Sequence, residues 1–256
     1  GNKYFFPGIA GLDVVEKFHW LAAVLTNPAI NGVKHTPTRK VIDRVVQFLS
    51  VPRTCFAFAV DDHHRLACLF AGAPEEAWSK AADYSAELHI KYLDKPKKRV
   101  LGLTPPIYEE LWVAGKAMYK LEPIVADGGE LVIHGPHVKA VSFVHGQDIA
   151  RIGYHVRDYF VKQWERFAHE PKLILAHSTN VKGIGTFEGG VEHPRVTVTL
   201  ATGIARPACE AHNLAYRDVG TIDVARWRED PDTLVVEEAG QVLYRLKEQA
   251  RSVDPT

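Results

Sequence analysis

The stretch that decides the fold runs from VLGL at residues 100–103, through an amphipathic segment at 109–124, to LVI at 131–133. The two short apolar runs are typical of buried strands, and the segment between them has the three- and four-residue spacing of a helix. A strand, a helix and a second strand in this order form a βαβ unit, whose strands lie parallel in one sheet. The sequence therefore predicts an α/β fold.

The chain after this unit continues to alternate between helical and strand patterns. The predicted elements are a long helix over residues 147–167, a strand over 173–176, a half-buried strand over 196–200, a helix over 208–214 and a last strand over 234–237. Residues 96–256 are therefore predicted to form a Rossmann-like C-terminal domain with a parallel sheet.

Residues 1–95 show a different order of helical and strand patterns. They are predicted to be the tail of an N-terminal α/β domain, so the chain is predicted to have two segments. Helical periodicity and a polar turn between two apolar runs predict helices and a β-hairpin. The predicted elements are helices over 11–25, 38–49 and 73–90 and hairpin strands over 55–60 and 66–70. The basic run KPKKR at 95–99 is predicted to be the linker between the segments.

Charge and composition exclude several classes of function. The chain has 31 Lys and Arg against 31 Asp and Glu, so no net field favours nucleic acid or a membrane surface. No apolar run approaches the roughly 18 residues that would span a bilayer, and three separated cysteines indicate a reducing compartment. We expect a cytoplasmic protein without nucleic-acid or membrane partners. Because the first residues have the pattern of the middle of a loop, we also expect a fragment or a processed chain.

Thirteen histidines make metal and substrate sites plausible. His145 opens the predicted helix over 147–167, and His177 follows the predicted strand over 173–176. Helix N-termini and the carboxyl ends of strands are favourable places for anions. His145, His177 and Lys182 are therefore our candidates for substrate contacts.

Other patterns are less specific. His63 and His64 are interpreted as an exposed hairpin tip, whereas His134 and His137 are interpreted as structural, with ligand binding left open. No His-Glu-x-x-His helix, Cys/His ladder, GxGxxG, P-loop or GxSxG is present, which disfavours a conventional zinc or NAD enzyme built on the histidines.

The opening segment resembles a known cofactor loop. KYFFPGIAG at residues 3–11, followed by His19, resembles the loop of the nickel-pincer lactate racemase family, in which a Gly-Gly-x-Lys loop precedes a Pro-Gly-Ile/Val-Ala/Ser stretch. In that family a histidine follows the lysine by sixteen residues, which is the separation of Lys3 and His19. FAGAP at 70–74 resembles the family's Phe-Ala-Gly-Asp-Pro, and LWVAGK at 111–116 resembles its Leu-Tyr-Gln-x-x-Lys helix.

The resemblance implies an isomerase, a racemase or epimerase of a 2-hydroxy acid that works by reversible hydride transfer. Its cofactor is a nickel pincer nucleotide, a pyridinium-3-thioamide-5-thiocarboxylate mononucleotide that holds nickel. Lys3 would tether this cofactor through a thioamide, and His19 would bind the nickel, which accepts imidazole ligands. Lys116 would hold the substrate carboxylate. Expected partners are a small 2-hydroxy acid and the cofactor-assembly enzymes of the parent protein.

Two features depart from the family pattern. Val113 stands where the family has a glutamine, and the family's acid and base histidines lie before the tethering lysine, so they would precede Gly1. The chain therefore looks truncated and lacks the proton-transfer groups. A non-catalytic homologue that binds a carboxylate or a nucleotide remains an alternative.

Overall fold

The computed structural model describes residues 1–248 and begins with a helical region and a hairpin. Its elements are α1 (Leu12–Leu25), α2 (Asn27–Ile30), α3 (Pro37–Val45), β1 (Cys55–Val60), β2 (Leu66–Gly72), α4 (Pro74–His89) and β3 (Ile90–Leu93). Short 3-10 helices occur at Asn2–Tyr4 and Val46–Phe48. The predicted helices and hairpin of this region are confirmed, although the second helix ends in a 3-10 turn.

The rest of the chain carries a parallel sheet and its helices. Its elements are β4 (Lys97–Leu103), α5 (Leu111–Ala114), α6 (Lys116–Leu121), β5 (Val125–Gly135), α7 (Gly146–Ile152), α8 (Arg157–Val161), α9 (Trp164–Phe167), α10 (Lys172–Lys182), β6 (Gly185–Glu188), β7 (Val191–Pro194), β8 (Thr197–Thr202), α11 (Arg206–Ala211), β9 (Ala215–Tyr216), α12 (Val224–Glu229), β10 (Thr233–Val236) and β11 (Leu243–Leu246). Further 3-10 turns lie at Glu122–Ile124 and Val219–Thr221.

Five strands form the central sheet in the order β10-β4-β5-β8-β9, and every neighbouring pair is parallel. This confirms the predicted α/β fold class. Side chains alternate between the two faces of each strand, so Leu131 and Ile133 pack into the larger core cluster while Val132 packs into a smaller cluster on the opposite face. Both faces are buried, as is usual for parallel sheets.

The hairpin β1–β2 is covered on one face only. Its strands are antiparallel, with Phe58 opposite Leu69, and α4 packs on the face that carries the buried Cys55 and Ala59. On the other face Phe56, Phe58 and Leu69 are 68%, 61% and 55% exposed. The hairpin therefore presents an apolar surface to solvent.

Contacts join the first and last parts of the chain. Strand β3 pairs in parallel with β11, and α1 lies along α10. The amide of Lys172 donates to Glu16 at one end of these helices, and Asn27 donates to Asn180 at the other, so the two helices run in the same direction. The division of the chain near residue 95 remains a prediction.

Besides the strand over 196–200, which is buried on both faces rather than half-buried, three local predictions were wrong. The proposed linker at 95–99 overlaps β4, because Lys98 and Arg99 extend the strand and form ion pairs with Asp232 and Asp230 before β10. The long helix over 147–167 is three short helices. The chain breaks at Gly153, which has φ +80° and whose carbonyl accepts a hydrogen bond from the Ser178 hydroxyl.

The third error concerns residues 173–176, which are not a strand but part of α10. This helix is buried all round from Ile174 to Thr179, so its sequence shows no polar face. A short apolar run does not distinguish a buried strand from a buried helix. Among the described residues, no helix has both the length and the apolar character needed to cross a bilayer.

Candidate functional site

The segment that carries Lys3 is a short 3-10 turn anchored by its neighbour. Asn2 is completely buried, whereas Lys3 is exposed. Within the described part of the chain, the Lys3 ammonium forms no ion pair or hydrogen bond. The amine is therefore free to react, while the backbone that carries it is fixed.

His19 lies on α1 and is half-buried. Its Nδ1 lies 2.7 Å from the Val15 carbonyl oxygen, which can only accept, so Nδ1 carries the proton and donates. In this tautomer the lone pair of Nε2 is available to a metal. Metal-binding histidines commonly donate their other ring N–H in the same way. The Lys3 segment reaches the same helix, because the Phe6 ring packs on Phe18 at 5.5 Å.

The donor chemistry at these two residues fits a tethered cofactor that brings most of its own metal ligands. No group of three or more His, Cys, Asp or Glu among residues 1–248 is arranged to hold a metal ion. A protein-only metal site is therefore not present in that region. A single imidazole with a free Nε2 beside a loop with a free amine does suit a pincer ligand that supplies sulfur and carbon donors.

A second cluster brings together two of the predicted substrate-contact residues. Trp112 of α5 lies between His145 and His177, with ring centroids 4.4 Å and 4.0 Å away. His145 precedes α7 and His177 lies in the middle of α10, so three elements converge on one indole ring. The hydroxyl of Tyr154 completes the cluster 3.3 Å from His177 Nε2.

Burial sets the protonation state of this cluster. The pKa of His177 is lowered to about 3 because its ring is desolvated and lies near His145. Desolvation also raises the pKa of Tyr154 above its usual value. A neutral imidazole therefore meets a protonated phenol at neutral pH, and His177 cannot supply a proton there.

The cluster sits where the carboxyl ends of β4 and β5 meet the following helices. The loop after β5 runs beside the start of α5, because the amides of Leu111 and Trp112 donate to Ala140 and Val141 at 2.9 Å and 3.0 Å. Gly115 permits the close approach of α10, since a Cβ there would lie 2.7 Å from Val181. Ligands of open α/β sheets commonly bind at this edge.

Lys116 begins α6, one turn beyond Trp112. Its ammonium lies 5.4 Å from the centre of the Tyr108 ring, within range of a cation–π interaction. It forms no ion pair with a carboxylate among residues 1–248 and so keeps its charge available for an anionic ligand. Val113 packs against the main core and offers no polar group to this ligand.

The remaining sequence candidates have structural partners. Lys182 donates to the Asn213 carbonyl, and burial lowers its pKa. His137 Nε2 bonds to the Pro105 carbonyl at 3.0 Å, and the pKa of His134 is lowered by burial. The Pro105 contact supports the structural interpretation of His137, and His134 is partly buried beside it.

Sequence reasoning missed several polar and aromatic neighbours. Trp112 occupies the tyrosine position of the family motif, so that alignment could have identified it. Tyr154 and Asn2 gave no local signal, because their partners are distant in sequence. A second missed network joins His155 to Glu192 at 2.9 Å, with Asn213 donating to the same carboxylate.

A groove of about 670 Å³ lies between α4, the edge of β1 and the start of β11, and Gly1, next to the Lys3 turn, lies in its wall. Among the described residues that line it are Phe58, Trp78, His89, Tyr119 and Leu243, but none of the residues predicted to act in the site.

Comparison with known proteins identifies the fold. No protein-family model matches the chain, and no curated protein is similar to it in sequence. A protein from Thermotoga maritima of known crystal structure is 33% identical with a TM-score of 0.86, over 96% of this chain and 62% of that one. The lactate racemase apoprotein from Thermoanaerobacterium thermosaccharolyticum is 17% identical with a TM-score of 0.72, over 96% of this chain and 58% of that one. The chain thus spans about three fifths of each structure and has a lactate racemase-like fold.

Proposed function

We propose that this chain is the cofactor-bearing part of a 2-hydroxy acid racemase or epimerase that uses a nickel pincer nucleotide. The observation that carries the proposal is the pairing of a free Lys3 amine with an adjacent helix on which His19 keeps Nε2 available. The lactate racemase-like fold supports it. For the parent protein, the proposal also includes acid and base histidines, cofactor-assembly enzymes as partners and a cytoplasmic location.

The roles of this chain's residues follow from their surroundings. When bound, the nickel pincer nucleotide would supply the hydride acceptor for the substrate's C2. Lys3 would hold the cofactor through its amine, and His19 would bind the nickel through Nε2. The hydrogen bond from Nδ1 to Val15 would hold the imidazole ring in one orientation.

The substrate end would be formed by Lys116 and the Trp112 cluster. Lys116 would attract the carboxylate of a 2-hydroxy acid, because it has no acidic partner among the described residues. His145 is half-buried and can offer a ring nitrogen to the substrate. His177, held neutral by burial, would position Trp112 rather than transfer a proton.

The proposal is tested by producing the chain together with cofactor-assembly enzymes of the lactate racemase type. A protease that cuts after glutamate releases the N-terminal peptide ending at Glu16, which contains Lys3 but not Lys17. We expect that peptide to carry the mass of the cofactor, and the protein to contain about one nickel per chain. His19→Ala should lower nickel content while leaving the tether on Lys3.

The matched control is Lys17→Arg, which removes another exposed lysine and should change nothing, whereas Lys3→Arg should abolish the mass shift. An unmodified Lys3 in a well-folded chain made under these conditions would refute the proposal. Binding of a 2-hydroxy acid by such an unmodified chain would instead support the non-catalytic homologue.

A further inference from the structure

Asn2 is a fully buried polar residue directly beside the proposed attachment point, and it uses its whole carboxamide. Its Nδ2 donates to Asp43 at 3.0 Å and to Glu75 at 2.6 Å, and its Oδ1 accepts from Arg53 at 2.8 Å. These partners lie on α3, at the start of α4 and before β1. One side chain therefore ties the Lys3 segment to three separate parts of the fold.

The position requires a carboxamide. Asp43 is itself held by two hydrogen bonds from Arg39, at 2.9 Å and 2.8 Å, so it cannot easily turn away. A carboxylate at residue 2 would face both Asp43 and Glu75 with no proton to donate. An apolar residue would remove all three bonds and leave Asp43 to Arg39, and Glu75 and Arg53 to each other at 3.7 Å.

The backbone on the other side of Lys3 is also fixed. The carbonyl of Asn2 accepts from the amides of Phe5 and Phe6, and the carbonyl of Lys3 accepts from Gly8, each at 3.0–3.1 Å. A Cβ at Gly8 would lie 2.3 Å from the Tyr4 carbonyl oxygen, so the turn closes tightly on itself. Lys3 thus has a rigid Cα and a free ammonium.

We infer that Asn2 is a positioning residue that fixes the Lys3 backbone so that its amine is presented at one place for cofactor attachment. The purpose assigned to Asn2, cofactor attachment at Lys3, rests on the proposed function. The claim that Asn2 orders the Lys3 turn rests on the hydrogen bonds alone. A positioned amine reacts faster because less conformational freedom is lost in the transition state.

The experiment compares Asn2→Ala with Asn27→Ala. Asn27 is another buried asparagine that bridges two elements, through its 2.9 Å bond to Asn180, but it lies away from Lys3. Amide hydrogen exchange at Phe5, Phe6 and Gly8 should accelerate by at least about tenfold in Asn2→Ala and stay unchanged in Asn27→Ala. This measurement needs no cofactor.

The second readout is the yield of cofactor on Lys3 after coproduction with the assembly enzymes, measured by peptide mass. We expect a loss of about tenfold or more in Asn2→Ala and in Asn2→Asp. Asn27→Ala should load like the unmodified chain.

The outcomes separate the inference from the proposed function. Unchanged amide exchange in Asn2→Ala, or normal loading despite faster exchange, would overturn the inference. If the parent chain itself takes up no cofactor, the proposed function and the purpose assigned to Asn2 both fail. Accelerated exchange would then still show that Asn2 orders the turn.

Discussion

The central parallel sheet and the β1–β2 hairpin are both rich in apolar residues, yet they are covered differently. Leu131 and Val132 of the sheet are fully buried on opposite faces, whereas Phe58 and Leu69 of the hairpin are mostly exposed. Composition alone does not distinguish the two regions. The difference indicates that stability is concentrated where helices pack on both faces of a sheet, whereas the hairpin is covered mainly by α4 on one face.

The largest expected effect contrasts the same substitution in the two regions. Leu131→Ala should lower the free energy of unfolding by about 2–5 kcal/mol, because it leaves a cavity in a fully packed core. Leu69→Ala, on the open face of the hairpin, should change it by less than about 0.5 kcal/mol. Urea denaturation of both variants measures the difference. Equal losses would mean that the hairpin face is buried in solution.

A smaller effect is expected where α10 approaches α5. Gly115→Ala should cost about 1–3 kcal/mol, since the new methyl group would lie 2.7 Å from Val181 with no room to relax. Gly146→Ala is the control, because a Cβ there meets nothing within 4 Å. Thermal unfolding of the two variants provides the comparison. An unchanged midpoint of thermal unfolding in Gly115→Ala would show that α10 packs only loosely against α5.

The last effect concerns acid stability and accumulates only as the pH falls. The pKa of His177 is about 3 in the folded chain against 6.5 as its reference, so below pH 6.5 the unfolded state binds a proton that the folded state does not. Stability should therefore fall with acidification, by up to about 1.4 kcal/mol for each pH unit between these values. His177→Gln should flatten this dependence, as measured by denaturant unfolding from pH 7 to pH 4.

The control for the acid effect is His63→Gln at the hairpin tip. The His63 side chain is 71% exposed, so this substitution changes an imidazole that folding does not bury. A change in the pH slope of similar size in both variants would show that burial of His177 is not its cause.

Periodicity predicted the fold where one face of an element is polar and the other apolar. Helix α1 was predicted for this reason, whereas β4 and β5 were predicted from short continuous apolar runs. Helix α10 was taken for a strand because it is buried on all sides. The pairs β3–β11 and β6–β7 were missed, since four-residue strands carry little pattern.

The candidate site was predicted unevenly. The resemblance supplied Lys3, His19 and Lys116, and local patterns supplied His145 and His177. The sequence could not show that His145 and His177 contact the same indole ring, because that depends on how α5, α7 and α10 pack. Nor could it show that the neutral state of His177 follows from burial rather than from its immediate sequence neighbours.

The pairing of β3 with β11 has a consequence for the order of folding. Leu93 aligns with Leu246, and Arg245 donates to the Asn31 carbonyl across 214 residues of chain. These contacts cannot form on a ribosome until residues 243–246 have emerged. The loop at Asn31 and the strand β3 must therefore wait for the end of the described chain, and contacts of such long range are slow to form. The segment that follows α2 therefore acquires all its native neighbours only late.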